Sequence, residues 1–297
     1  MKDKYRRGTA LLLALLLSLG LLLSGCAGGG QTPEGAGQST DTEETEGQAP
    51  EGAEPGTGAE EAEGQESRPL RTFTDDCGRE VEVPEEIRTV IASGNLSQII
   101  LFALAPEKLM AINGGWTDDA AEYVDEVYLD LPEVGSFFGN HDLNYEEIAK
   151  LGPDIIIDVG EKKPSMRSDL DDITTKTGIP AIHIDADYDT MDVAYEKLGK
   201  LLGKEAEAKK LSDYCRETIQ IMNDTMDQVE ARRSVMYCTQ EDGLNVLARN
   251  SYHSQVLDRM CENVAVLEDP SSQGSGNEVN LEQMMLWDPE VILFAPG

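Results

Sequence analysis

The chain has 297 residues, with 57 acidic against 24 basic side chains and a formal net charge of −33. A negative surplus of that size excludes a nucleic-acid binder, which needs a basic face, while 40% hydrophobic residues is enough for a sizeable core. The length fits about two domains, and the composition changes sharply along the chain.

Residues 1–8 carry Lys2, Lys4, Arg6 and Arg7 against the single acid Asp3, and an apolar run follows from Ala10 to Leu23. The run is shorter than the roughly 20 apolar residues a membrane-spanning helix needs. With its basic start it reads as an export signal over residues 1–25. It ends Leu23-Ser24-Gly25-Cys26, which resembles a bacterial lipobox and implies lipidation of Cys26, with two acyl chains giving a stable anchor. Residues 27–68 hold ten Gly, eleven acids and no aromatic residue. No core can form from them, so 26–68 reads as a disordered, acidic, Gly-rich tether with an r.m.s. span of about 35 Å.

The alternation from Thr72 to Pro84 around Asp76-Cys77-Gly78 predicts a β-hairpin. Short apolar runs then recur between helical patterns, at Thr89–Ser93, Leu109–Asn113, Ile155–Val159 and Ala181–Asp185. Near-continuous apolar strands alternating with helices imply a parallel sheet covered on both faces. This defines an N-terminal α/β lobe over residues 69–190. Residues 191–232 lack strand patterns and form a helical connector. Its main helix is expected from Glu205 to Glu230, with Leu211, Tyr214, Cys215, Ile219, Met222, Met226 and Val229 on one face. Strand patterns restart at Ser234–Cys238, Ala265–Leu267 and Val291–Ala295, giving a second α/β lobe over 233–297. The fold class is therefore α/β, with two Rossmann-like lobes of parallel sheet joined by one long helix and a ligand cleft between them. Cys77, Cys215, Cys238 and Cys261 contain no Cys-x-x-Cys pair, so a structural zinc site has no support.

The ordered set of Asp75–Pro84, Asn144–Ile157 and Val279–Leu293, together with the lipobox and the mid-chain helix, resembles the helix-linked substrate-binding lipoproteins of ABC importers for siderophores, heme and cobalamin. The resemblance implies an extracytoplasmic, lipid-anchored, monomeric receptor of the iron-complex type. Its partners would be an ABC permease with its ATPase and a metal-chelate ligand, with no nucleic acid, no intrinsic cofactor and membrane contact through the lipid alone. In that family the second lobe continues past the segment matching Val291–Gly297, so the resemblance also implies an incomplete C-terminal lobe. Alternatives are a cobalamin or free-metal-ion receptor and a sensory lipoprotein without transport. Enzyme activity is not expected: no Gly-x-Ser-x-Gly, His-Glu-x-x-His or P-loop pattern occurs.

Two segments repeat each other. Asn144-Tyr145-Glu146 to Pro153-Asp154 has the same spacing as Asn280-Leu281-Glu282 to Pro289-Glu290, each a short helix, a Pro and a strand. A Glu in the first turn is favoured by the helix dipole alone. The resemblance gives Glu146 and Glu282 a further role, docking onto permease arginines.

Ligands of open α/β sheets bind beyond the carboxyl ends of the strands. The candidate ligand residues on those loops are Asn95, Trp116, Phe138, Asn140, His141, Glu161 and Lys162 in the first lobe, and Tyr252, His253, Asn277 and Glu278 in the second. Trp116 reads equally as a flat wall or a loop anchor. His141 and His253 are candidate metal ligands or exposed side chains, Tyr252 beside His253 suits iron as a phenolate, and His183, inside an apolar strand, reads as a core residue.

Overall fold

The computed structural model describes residues 68–137, 143–271 and 274–295. Strands β1 (Leu70–Thr74) and β2 (Glu80–Pro84) form the expected antiparallel hairpin, paired from Leu70↔Pro84 to Thr74↔Glu80. Asp75 makes its turn: Oδ1 accepts from the Cys77 amide at 3.0 Å and the Arg79 amide at 2.9 Å, and Gly78 takes φ +70°. Buried Arg79 then fastens the hairpin to the first lobe, pairing with Asp75 Oδ2 at 2.7 Å and donating to the Ala181 carbonyl at 2.5 Å.

The first sheet has the order β3-β4-β5, all parallel, from β3 (Val90–Ala92), β4 (Ile155–Gly160) and β5 (Ala181–Asp185). Every residue of β4 is buried. Ile155, Ile157 and Val159 pack on one face with Leu101 and Leu104 of α1 (Asn95–Leu104) and Leu198 and Leu202 of α5 (Met191–Leu202). Ile156 packs on the other face with Ile148 of α3 (Tyr145–Leu151) and Leu170 and Ile173 of α4 (Met166–Thr177). The period of two sends alternate side chains to opposite helical layers, which is why the run reads as continuously apolar.

The segment expected as a strand at Leu109–Asn113 is instead two isolated parallel bridges, Val90↔Leu109 and Ile112↔Glu133. Met110 donates to Val90, but Ile112 turns its pairing to Pro132 and Val134, so no ladder runs along one edge. Between them the chain makes a surface excursion through a 3-10 turn (Asp118–Glu122) and α2 (Glu126–Leu129).

Helix α6 (Glu205–Met226) is 22 residues, about 33 Å long. Its first half lies so close to α5 that a Cβ at Gly199 would sit 2.4 Å from Ala208 Cβ. Leu211, Cys215, Ile219, Met222 and Met226 are half-buried as their spacing predicts, whereas Tyr214 is exposed. The helix stops four residues short of Glu230, where the Gln228 and Val229 amides close back on Thr225 and Met226 in a tighter turn.

The second sheet centres on β6 (Ser234–Cys238), which pairs in parallel with β10 (Val291–Phe294) and β8 (Glu262–Asn263). It also carries a short antiparallel extension, β7 (Asn245–Val246) and β9 (Asn277–Glu278). The strand expected at Ala265–Leu267 lies earlier, at β8. Asn263 Oδ1 takes the Ala265 amide and bends the chain out of the ladder, while Ala265 stays buried in the core. That core is small: Met236, Cys238, Val246 and Ala265, with Val279, Met284 and Trp287 against them. Between β8 and β7 lie α7 (Gln255–Met260) and, before β10, α8 (Leu281–Trp287).

The sequence repeat folds as a repeat. Asn144 caps α3 by accepting from the Glu147 amide at 3.0 Å, and Asn280 caps α8 through the Gln283 amide at 2.8 Å. Gly152 and Asp288 end the two helices with left-handed backbone, at φ +61° and +44°. The Asp154 amide then donates to Thr89 Oγ1 at 3.0 Å while its carboxylate accepts from the Arg88 and Thr89 amides. In the second lobe the Glu290 amide donates to Ser234 Oγ at 2.9 Å and its carboxylate accepts from the Ser234 amide at 3.0 Å. Each clasp ties the helix-to-strand turn to the start of the neighbouring parallel strand. The four cysteines Cys77, Cys215, Cys238 and Cys261 are free thiols.

Candidate functional site

At the carboxyl ends of β4 and β5 the chain leaves the first sheet through Glu161-Lys162 and through the loop from Ala186 to Thr190. Asp187 Oδ1 shapes that second loop by accepting from the Asp189 and Thr190 amides, each at 2.9 Å, and from Thr190 Oγ1 at 2.8 Å. The second lobe approaches with residues 250–259. Together these segments line a cavity of about 550 Å³, a size usual for a small-molecule site.

Three contacts hold the two sides of this cavity. The Tyr252 hydroxyl donates to the Ala186 carbonyl at 2.9 Å, the Tyr188 amide donates to Gln255 Oε1 at 2.8 Å, and Arg259 pairs with Asp189. The Arg259 guanidinium also lies 5.1 Å from the centre of the Tyr188 ring. Gly160 makes the approach possible: its φ is +142°, and a Cβ there would lie 3.1 Å from Leu96 Cδ2 and 3.5 Å from the Tyr252 hydroxyl.

Burial pushes the Tyr252 phenol up to about 12, with the Glu161, Asp187, Asp185 and Asp158 carboxylates adding to the effect. The protonated phenol is the form that donates to the Ala186 carbonyl.

Beneath the cavity runs a buried polar chain. Ser93 donates to Asp158 Oδ1, and Asp158 Oδ2 meets His183 Nδ1 at 2.7 Å. His183 is fully buried, in accord with its reading as a core residue; its Nε2 has no hydrogen-bond partner among the described residues and lies 4.0 Å from Asp185 Oδ1. A serine, an aspartate and a histidine in one chain invite comparison with a nucleophilic triad, but the order is wrong. Ser93 bonds the carboxylate instead of the imidazole, and it is only 1% exposed.

Of the sequence candidates, Glu161, Lys162 and Tyr252 come together as cavity walls. Lys162 Nζ donates to the Asp76 carbonyl at 3.0 Å. Asn95, Trp116, His253, Asn277 and Glu278 lie off these walls. Asn95 is exposed at the start of α1. Trp116 acts as a loop anchor: its indole donates to the Tyr128 carbonyl at 2.9 Å and meets Phe102 edge-on at 5.1 Å. Exposed His253 sits edge-on to Tyr252 at 5.4 Å and against Gly274. Asn277 and Glu278 are taken into β9, where Asn277 Oδ1 accepts from the Ser271 amide at 2.6 Å. Phe138, Asn140, His141 and Cys26 lie outside the described residues. Among the described residues no three His, Cys, Asp or Glu side chains converge on a metal position.

Sequence reasoning missed Asp185, Asp187, Ser251, Gln255, Asp258 and Arg259 as cavity residues. The strand-end rule that chose Glu161 applies equally to Asp185, the last residue of β5, so that signal was present.

The periplasmic binding protein family model matches residues 90–297. The chain belongs to the periplasmic binding protein family. This receptor is thus an extracytoplasmic solute-binding component of an ABC importer, with a permease and ATPase as partners and a small molecule as ligand; it is not an enzyme. No curated protein matches it. Among solved structures, an ABC transporter solute-binding protein from Sulfurospirillum deleyianum is 24% identical, with a TM-score of 0.67 over 75% of this chain and 71% of that one. A petrobactin-binding protein from Bacillus subtilis is 16% identical, with a TM-score of 0.57 over 76% and 77%. A periplasmic vitamin B12-binding protein of Vibrio cholerae is 20% identical, with a TM-score of 0.54 over 70% and 76%. At these identities the likeness concerns the fold, two α/β lobes around a cleft. Among the described residues no helix is long and apolar enough to cross a membrane.

Proposed function

We propose that the receptor is tethered to the membrane by lipid on Cys26, captures a metal chelate of the iron-complex type and hands it to its permease. The observation that carries this reading is the cavity of about 550 Å³ at the strand ends, walled by both lobes. It has room for a chelate. Solved neighbours of the fold bind petrobactin and vitamin B12, so the scaffold accommodates bulky chelates.

Delivery rests on Glu146 and Glu282. Both are exposed in the first turn of equivalent capped helices, one on each lobe, and neither has a partner among the described residues. Two free acids on separate lobes report the lobes' spacing to a basic permease surface. The double charge reversal Glu146→Arg with Glu282→Arg is expected to abolish uptake in cells and leave ligand affinity in solution unchanged; normal uptake would remove the docking role. Cys26→Ala is expected to move the protein from the membrane fraction to the soluble one.

A further inference from the structure

We infer that the cavity selects a ligand whose outer surface is positively charged, and so discriminates against anionic chelates and heme. This narrows the ligand class of the receptor and rests on the function proposed above. Five carboxylates line the cavity: Glu161, Asp185, Asp187, Asp189 and Asp258. Two cations face them, Lys162 and Arg259. Arg259 is spent on Asp189, and Lys162 is held against the Asp76 carbonyl of the hairpin turn. The other four carboxylates have no Lys or Arg partner among the described residues; His183 Nε2 lies 4.0 Å from Asp185 Oδ1.

Their engagements differ in a way that locates the ligand charge. Asp187 is occupied by its own loop, and Asp258 accepts from the Asn250 amide, Ser254 Oγ and Asn263 Nδ2 at 2.7–2.8 Å. Glu161 and Asp185 accept no hydrogen bond from the described residues. They belong to adjacent strand ends: Gly160, which precedes Glu161, is the register partner of Asp185 at the ends of β4 and β5. A second observation concerns the same cavity: Ser251 is a lining residue, 8% exposed, and its buried hydroxyl has no hydrogen-bond partner among the described residues. A buried polar group left unpartnered in a cavity wall calls for a partner that the described residues do not supply.

Burial raises the Tyr252 phenol with help from Glu161, Asp187 and Asp185, so the cavity's field already disfavours one more negative charge. No three of the described carboxylates converge on one ion position. They suit a bulky molecule carrying ammonium or N–H donors on its rim, whereas heme propionates or a tris-catecholate would bring like charge against them.

The test titrates the full-length mature protein in detergent with ferric chelates of similar bulk, by calorimetry at low ionic strength. The probes are ferrioxamine B, with one free ammonium arm; its N-acetylated neutral form; a ferric tris-catecholate of charge −3; and heme. Cobalamin and the chelate-free polycation spermidine are included. Ferrioxamine B is expected to bind about tenfold tighter than its acetylated form, and the anionic probes weaker still. Glu161→Gln with Asp185→Asn should bring the ratio of the two affinities, ammonium form over acetylated form, close to one. Both side chains lie at the cavity rim, so folding is checked by circular dichroism. Affinities independent of charge, or tightest for the tris-catecholate or heme, overturn the charge selection and leave the receptor intact. Binding of none of the six probes overturns the chelate-receptor reading itself.

Discussion

The helix-to-strand turns of the two lobes are built from one plan and end in different surroundings. Asn144, Gly152, Pro153 and Asp154 have their counterparts in Asn280, Asp288, Pro289 and Glu290, and both acids clasp the hydroxyl-bearing residue that starts the neighbouring strand. Yet the Asp154 side chain is 2% exposed and Glu290 49%. β4 is buried along its whole length, whereas Ile292, Leu293 and Phe294 of β10 are exposed. The local pattern thus writes the cap, the turn and the clasp, and the layers packed around the strand decide what those features contribute to stability.

Paired substitutions break or sharpen this contrast. The largest effect is expected in the strands: Ile156→Ala should cost about 2–5 kcal/mol as a core truncation, and Ile292→Ala less than about 1 kcal/mol, read by urea denaturation. Equal losses would mean that β10 is as well covered as β4. The clasps come next. Asp154→Ala strands the Arg88 and Thr89 amides and should cost about 1–3 kcal/mol, while Glu290→Ala should cost about 0.5–1 kcal/mol.

The Asp154 clasp also has a pH signature. Burial opposes its ionisation, but the Arg68 guanidinium and the Arg88 and Thr89 amides outweigh burial and hold the carboxyl below the usual carboxylate range. A depressed carboxylate binds its proton more weakly in the folded state than in the unfolded one. Its stabilisation is therefore complete above the ordinary Asp pKa near 3.9 and lost as pH falls through the lower folded value. Asp154→Asn should flatten that part of the acid-unfolding curve. The smallest effect concerns the helix ends. Asp288 holds a left-handed conformation that Gly152 adopts freely, so Asp288→Gly should stabilise by up to about 1 kcal/mol, and Gly152→Ala should destabilise by a similar amount.

Much of the first lobe was legible because each of its signals is local. β4 and β5 lie where short apolar runs sit between helical patterns, and Asp75 and Gly78 make the turn that the hairpin alternation demands. The excursions were less legible. Leu109–Asn113 is apolar enough for a strand, but its partners change from Val90 to Pro132 along its length, and partner choice leaves no mark in the run itself. Ala265–Leu267 failed for a local reason that was overlooked: Asn263 can bond the amide two residues on and end a strand early.

The site divided in the same way. Glu161, Lys162 and Tyr252, which strand ends and loop chemistry single out, line the cavity. Arg259 and Gln255 are not singled out, because they matter only through Asp189 and Tyr188, some 70 residues away in sequence. Trp116 is ambiguous for the complementary reason: an indole in a Gly-Gly loop can face a ligand or a neighbour, and its contacts with Phe102 and the Tyr128 carbonyl exist only in the folded chain.

The order of residues alone determined the α/β alternation, the paired capped helices with their exposed acids, and the family to which the receptor belongs, because periodicity, caps and turns act over a few residues. Only the tertiary structure decided that acids from the ends of β4 and β5 and from α7 line one cavity, where five carboxylates meet two cations. Coulombic balance depends on separations in space, and a net charge summed along the chain carries no record of them.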